Sequence, residues 1–187
     1  LHLSLRRQRQ MCIRDRYMPV ITENAKVELA KFVVNQQQSM YLVLGKTSAW
    51  SNEQVPPEPI PNTTQLEEVV GYKRVSKAVL VRPTRETDTN KEKITFNNNS
   101  WTIINQEDAI QEGAKWAYFE SNIVGNELPL GTYRQVGISI NVKPRSQKSA
   151  LLPSEVEDTG TLLFYDNKQF QNRTNDVSNL ERLIVEF

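Results

Sequence analysis

Gly45-Lys46-Thr47 follows the apolar run 40–44 and invites reading as a phosphate-binding loop. That chemistry needs a Gly five residues ahead of Gly45, so that backbone N–H groups curl around the phosphates. Met40 holds that position, and no helical pattern follows, because a proline-rich stretch begins at Glu53. The segment therefore reads as a strand leaving into a loop. Acids are plentiful, including Glu67, Glu68, Glu107, Asp108, Glu112, Glu120, Glu155, Glu157 and Asp158. Glycoside hydrolysis would need two of them facing one another across a cleft, whereas neighbours such as Glu67 and Glu68 usually point in different directions. The spacing of a calcium-binding EF-hand is absent, and no Lys sits in a clear apolar run where burial would make it a base. The chain has one Cys (Cys12) and one His (His2). Cys/His zinc sites need several ligands, one Cys cannot close an internal disulfide, and a Ser-His or Cys-His pair would have to use His2. No catalytic, cofactor-binding or metal-binding residue is expected, and the chain does not read as an enzyme.

Both of those scarce residues lie in a segment of unusual composition. Residues 1–16, LHLSLRRQRQMCIRDR, hold five Arg and a single acid, Asp15. A basic arm for nucleic acid, an Arg-rich transit leader and a non-native leader compete as readings. The third is adopted, because MCIRDR resembles translated sequencing-adapter sequence; Met18 is then a plausible start. The segment carries five of the 23 basic and one of the 22 acidic residues, so the remaining 171 residues carry 18 and 21, a net charge of −3. That balance does not suit a nucleic-acid partner. With 38% hydrophobic residues, a mean hydropathy of −0.56 and no run of 18 apolar residues, a helical membrane span is excluded. Residues 17–187 suit a single domain.

The elements that would position any site are mostly strands. Thr22 is a suitable N-cap for a helix over 22–36, with Val27, Ala30 and Val34 at helical spacing and Phe32 and Val33 widening the stripe. Residues 39–44 read as a strand. Pro56, Pro57, Pro59 and Pro61 force an extended segment, followed by a short helical candidate at 64–70 closed by Gly71 as a C-cap. Residues 72–82 read as one strand whose basic cluster, Tyr72, Lys73, Arg74, Lys77 and Arg82, is a solvated face rather than a single-strand binding platform. A charged loop covers 84–93. Further strands are expected at 94–97, 100–105, 115–123, 132–142, 161–166 and 179–187, with Val136, Ile138, Ile140 and Val142 on one face and a polar loop at 143–158. The order implies a mainly β fold, a β-sandwich with one N-terminal helix and short helices in side loops.

Several of these segments, in order, resemble the baseplate wedge protein family of T-even-like contractile-tailed phages. The resemblance rests on Leu44-Gly45-Lys46-Thr47-Ser48-Ala49-Trp50-Ser51-Asn52 before the prolines, and on Gly71 to Pro83. It continues through Tyr118 to Ser121, Leu128-Pro129, Gly131, Tyr133-Arg134-Gln135 and Ile138-Ser139-Ile140, and closes on Gly160 to Tyr165 and Leu180 to Phe187. It spans most of 20–187. One departure stands out: the T-even protein is longer, and most of its extra length would fall between Arg85 and Trp101, where this chain has only a short charged loop.

The resemblance implies a structural, late-expressed virion component of the tail baseplate. It would be a homodimer that assembles in the host cytoplasm with other baseplate wedge subunits. No cofactor, nucleic acid, membrane or small-molecule substrate is implied. Trp50 is the candidate interface anchor, since aromatic and Arg side chains dominate interface energetics; it serves equally well as a core plug beneath the prolines. Tyr133 and Arg134 carry the same ambiguity, and Arg134 could pair with an acid of its own fold. The competing functional reading is a carbohydrate-binding β-sandwich, an adhesin-like module stacking sugars on Trp101, Trp116 and Tyr118.

Overall fold

A computed structural model describes residues 19–187. The chain begins with helix α1 (Glu23–Asn35), capped by Thr22, whose hydroxyl accepts from the Ala25 N–H at 3.2 Å. Strands β1 (Tyr41–Gly45), β2 (Gly71–Arg74), β3 (Lys77–Pro83), β4 (Lys93–Phe96) and β5 (Asn99–Ile104) follow, then the single turn α2 (Ala109–Glu112). The second half runs β6 (Trp116–Ile123), β7 (Gly131–Ile140), β8 (Lys143–Pro144), β9 (Ala150–Leu151), β10 (Val156–Asp158), β11 (Thr161–Arg173) and β12 (Asn179–Glu186). Among the described residues the strands form two five-stranded antiparallel sheets, ordered β11-β7-β1-β2-β9 and β12-β6-β3-β5-β4, and a small β8–β10 pair. No helix among these residues is long and apolar enough to cross a membrane.

Alternation along the strands builds one core shared by both sheets. Leu42, Leu44, Val136 and Ile138 from the first meet Ala78, Leu80, Ala117, Phe119 and Leu183 from the second. Helix α1 contributes Val27, Ala30, Val33 and Val34 to it. Phe32, expected to widen that stripe, is instead 57% exposed. A smaller cluster of Tyr41, Val43, Leu66, Tyr72, Leu151 and Val156 covers the other face of the first sheet. Val142 belongs to this second cluster and not to the face of Val136, Ile138 and Ile140, because β7 stops at Ile140 and Asn141 turns the chain with φ +58°.

Five further local expectations are corrected. Residues 72–82 are two strands in different sheets. Val75 donates to the Met40 carbonyl on the first sheet's side, and Ser76 donates to the Glu120 carbonyl on the second sheet's side. The basic cluster is consequently no solvated face. Lys73, 8% exposed, binds Glu127, and Arg82, 2% exposed, binds Asp88 and Glu112. Residues 64–70 are not helical. Their amides turn outward to other partners, Glu67 N–H to the Gln135 side chain and Val70 N–H to the Leu44 carbonyl, and Glu68 takes φ +44°. Gly71 is not a C-cap but a strand residue whose missing Cβ makes room for the Leu128 side chain and the Leu151 carbonyl. The polar loop 143–158 contains the short strands β8, β9 and β10, too brief for any periodicity to show.

The charged loop after β3 is closed around a buried carboxylate. Asp88 accepts from Arg82 Nη1 (2.6 Å) and Nη2 (2.8 Å), from the Arg85 N–H (2.8 Å) and from the Thr102 hydroxyl (3.0 Å). The Arg82 guanidinium beside it holds the Asp88 carboxyl well below the usual carboxylate range. Glu112 of α2 gathers Arg82, Arg85 and Lys91 onto the same network.

The shared core makes a quantitative expectation. Phe119 is fully buried and packs on Phe164 across the sheets, with ring centroids 5.1 Å apart. Phe119→Ala should cost about 3–5 kcal/mol of unfolding free energy, read by urea denaturation as a lower midpoint at unchanged slope. A loss below 1 kcal/mol, on the order of a surface substitution, would contradict a single core spanning both sheets.

Candidate functional site

The turn after Gly45 is an anion cradle after all, and the anion belongs to the chain itself. The Glu68 carboxylate accepts from the Thr47 N–H (2.9 Å) and hydroxyl (2.5 Å), and from the Ser48 N–H (2.8 Å) and hydroxyl (2.7 Å). Lys46, at φ +60°, sends its ammonium to Glu67 at 2.7 Å. Gly45 is glycine because a Cβ there would lie 2.5 Å from the Glu67 carbonyl oxygen, so it serves close approach of this chain's own backbone and not of a phosphate. Glu67 and Glu68 do point to different partners, as adjacent carboxylates should, and neither faces the other across a cleft.

Beyond the cradle, the loop is fastened by Arg134. This side chain from β7 is only 7% exposed. Its Nε donates to one oxygen of Glu53 at 2.8 Å, Nη2 lies 2.7 Å from the same oxygen as an ion pair, and Nη1 donates to the Thr47 carbonyl at 2.6 Å. The guanidinium holds the Glu53 carboxyl below its ordinary pKa, and the same Glu53 oxygen accepts the Trp50 N–H at 3.2 Å. Trp50 is half-buried. Its indole N–H donates to the Lys168 carbonyl at 2.9 Å, and the Lys46 ammonium lies 5.2 Å from its ring centre. The lone indole donor thus meets a β11 carbonyl where that strand's register with β7 shifts between Asn167 and Gln171.

The proline-rich segment then runs along β11. Alternate side chains of that strand reach its backbone: the Tyr165 hydroxyl accepts the Ile60 N–H at 2.6 Å, Asn167 donates to the Pro57 carbonyl at 2.9 Å, and Gln169 to the Gln54 carbonyl at 3.2 Å. Apolar side chains are exposed along these segments: Val55 is 69% exposed, Ile60 64% and Phe170 53%, with Arg134 beneath the Phe170 ring at 5.8 Å.

Of the three residues named from sequence, Trp50 and Arg134 meet in this constellation. Tyr133 lies elsewhere. It is 1% exposed and its hydroxyl donates to Glu181, which also pairs with Lys168 at 2.6 Å. Burial pushes the Tyr133 hydroxyl far above its ordinary pKa. The aromatic trio of the sugar-binding reading is largely engaged already. Tyr118 is 1% exposed, and half-buried Trp101 and Trp116 pack edge to face with centroids 6.0 Å apart. Glu53, Tyr165 and Phe170 gave no signal in the sequence, and Glu68 stood there only as one of many acids, its place in the cradle set by the fold.

The model of the baseplate wedge 3 tail fiber network component family matches residues 18–187. The chain belongs to that family. It is 44% identical over 171 residues to virion protein 3 of Enterococcus phage phiEF24C, an alignment covering 90% of this chain and 94% of that protein. Its place is therefore the virion, at the tail baseplate, and its role there is structural, among other baseplate proteins.

The cradle predicts a pH response. Hydrogen bonds from Thr47, then Ser48, lower the Glu68 carboxyl from 4.5 to about 2. Since the folded value lies below the unfolded one, the cradle's stabilisation is complete above about pH 4.5 and is lost as pH falls toward 2. The amide signals of Thr47 and Ser48 should hold steady down to pH 4.5 and titrate with the Glu68 carboxyl at about 2. A midpoint at the ordinary value would mean the carboxylate lies outside the cradle.

Proposed function

We propose that this baseplate component is a dimeric wedge subunit without catalysis, and that residues 17–187 act as one β-sandwich unit holding neighbouring subunits in register. The observation that carries the reading is that the exposed apolar side chains Val55, Ile60 and Phe170 belong to segments tied to β11 and β7 by side-chain hydrogen bonds and the Arg134–Glu53 pair. Exposed large apolar side chains on a fixed loop are candidates for an interaction site. A surface already held in one conformation loses little entropy on docking, which is where affinity is usually forfeited.

In this reading Trp50 is the anchor that fixes the loop and lends one edge to the contact. Arg134 supports it from below, and Tyr133 contributes through the packing under β7. Partners are a second copy and other wedge subunits, and the role calls for no nucleic acid, membrane, cofactor or small-molecule substrate. Family membership supports the baseplate role.

Two measurements test this. Light scattering on residues 18–187 should return the mass of a dimer; a folded chain that stays monomeric at high concentration sinks the dimer. Ile60→Glu and Phe170→Glu, both on exposed positions, should leave unfolding free energy within about 0.5 kcal/mol of the parent. The same substitutions should sharply reduce incorporation into virions when supplied in place of the parent chain. Full incorporation of both would rule this surface out.

A further inference from the structure

The second sheet is strongly curled, and its two edge strands, β12 and β4, do not pair. In a flat sheet those edges would stand four strand spacings apart, roughly 19 Å. Here one side chain joins them. Arg182 of β12 donates from Nη1 to the Thr95 carbonyl of β4 at 3.2 Å, and its guanidinium carbon lies 5.9 Å from the Phe96 ring centre. The face carrying Arg182 and Phe96 is therefore the concave one. Register puts Val79, Tyr118 and Ile184 in line across it, and Ile94, two residues from Phe96, joins them.

Both edges keep backbone groups facing the opening. The Phe187 N–H donates to the Lys115 carbonyl at 3.0 Å, which makes these two a hydrogen-bonded pair continuing the β12–β6 ladder. In an antiparallel ladder such pairs alternate with pairs whose N–H and C=O groups point away. In β12 the outward groups are those of Leu180, Arg182, Ile184 and Glu186. The Ile103 N–H likewise donates to the Glu92 carbonyl at 2.9 Å, so in β4 the outward groups are those of Lys93 and Thr95. Among the described residues none of these six N–H groups has an acceptor, and of their carbonyls only that of Thr95 has a donor, Arg182. Every strand of this sheet runs antiparallel to its neighbours, so over five strands β12 and β4 run the same way. One further strand, antiparallel to both, would close the sheet into a barrel and pair both edges. It needs two strand spacings, roughly 10 Å, and an opening bridged by a single extended arginine is of that order. Such a width admits one segment. It excludes edge-to-edge pairing of β12 with a second copy, which would bring that copy's whole sheet with it.

We propose that the opening between β12 and β4 receives one extended segment of a neighbouring baseplate protein, added antiparallel to both edges, with apolar residues at alternate positions. Its inward side chains meet Val79, Tyr118, Ile94 and Ile184. They are uncharged, because the charges on that face answer one another: Arg182 stands opposite Glu120 in the ladder, and Lys77 pairs with Glu92 at 3.1 Å. Arg182 holds the Thr95 carbonyl in the free chain and releases it to the incoming strand. The inference rests on the chain's place in the baseplate, and not on the dimer or on the surface around Phe170.

The test uses the full chain, labelled with ¹⁵N, and the peptide acetyl-Lys-Val-Thr-Ile-Thr-Val-Lys-amide, whose Val and Ile side chains fall on one face. Saturable shifts should centre on residues 93–96 and 180–186. At about ten times its Kd the peptide should slow hydrogen exchange at the amides of Leu180, Arg182, Ile184 and Glu186 by about tenfold. Those of Leu183 and Val185, already bonded to β6, should change little. The same peptide N-methylated at its central Ile should bind at least about tenfold more weakly. Ile184→Pro removes an outward N–H and no bond to β6, as proline on an edge strand can, and should weaken the parent peptide by a similar factor. The proposal is overturned by absence of saturable shifts, by shifts confined to another surface, by equal binding of the two peptides, or by a folded Ile184→Pro chain that binds like the parent. Protection of the same amides that rises with chain concentration, without peptide, would put a second copy in the opening and overturn it too. If Ile184→Pro does not fold, the two peptides decide alone. Because a synthetic strand is the probe, any of these outcomes leaves the dimer and the Phe170 surface to their own tests.

Discussion

Residues 46–70 connect β1 to β2 with no ladder of their own, and every exposed feature of interest depends on how that stretch is held. Backbone donors and acceptors must be paired somewhere. Here two carboxylates substitute for secondary structure. Glu68 gathers the turn at Thr47 and Ser48, while Glu53 is gripped by Arg134 and accepts the Trp50 amide. The left-handed backbone at Lys46 and Glu68 is where the chain bends to bring these groups together. Such conformations are costly for residues with a Cβ and persist only where surrounding contacts enforce them.

The second constraint is the passage of one extended segment through both sheets. At Val75 and Ser76 the backbone changes partners from Met40 to Glu120, and Ser121 returns a hydroxyl to the Arg74 carbonyl across the joint. The sheets are thereby stitched as well as packed. On the far side of β3, the buried Arg82–Asp88 pair closes the following loop into a compact staple, and Thr102 and Arg85 complete the carboxylate's partners. A short connection in this position therefore carries its own internal order.

A pattern in the use of charge joins these regions. Lys73, Arg82 and Arg134 are each buried against an acid of the same chain, and Glu181 is shared by Tyr133 and Lys168. Ion pairs spent inside the fold fix the geometry of loops; they do not advertise a reactive centre. What faces outward around the proline-rich segment mixes apolar Val55, Ile60 and Phe170 with polar Gln54, Glu58 and Asn62, on a loop fixed by those pairs. That combination suits a part whose task is to present a defined shape to its neighbours in the baseplate, the setting that family membership supplies. Arg173 is the departure from the pattern, a buried cation bound by carbonyls alone.

Much of the fold was legible because it rests on short-range rules. The N-cap at Thr22, the alternation of Ala117 and Phe119 against Trp116 and Tyr118, and the apolar runs of β1, β7 and β12 follow from side-chain periodicity and capping chemistry. The Gly-Lys-Thr turn read only as a strand leaving into a loop. Its use as an anion cradle was not legible, because Glu68 arrives from the far end of the loop and only the folded backbone brings it within reach. The same holds for the split of residues 72–82, the pairing of Arg134 with Glu53 across 81 positions, and the exposure of Phe32 and Phe170. Local sequence determines which face of an element is apolar; which faces are covered, and which charges find partners, is decided by long-range contacts that have no signature in neighbouring residues.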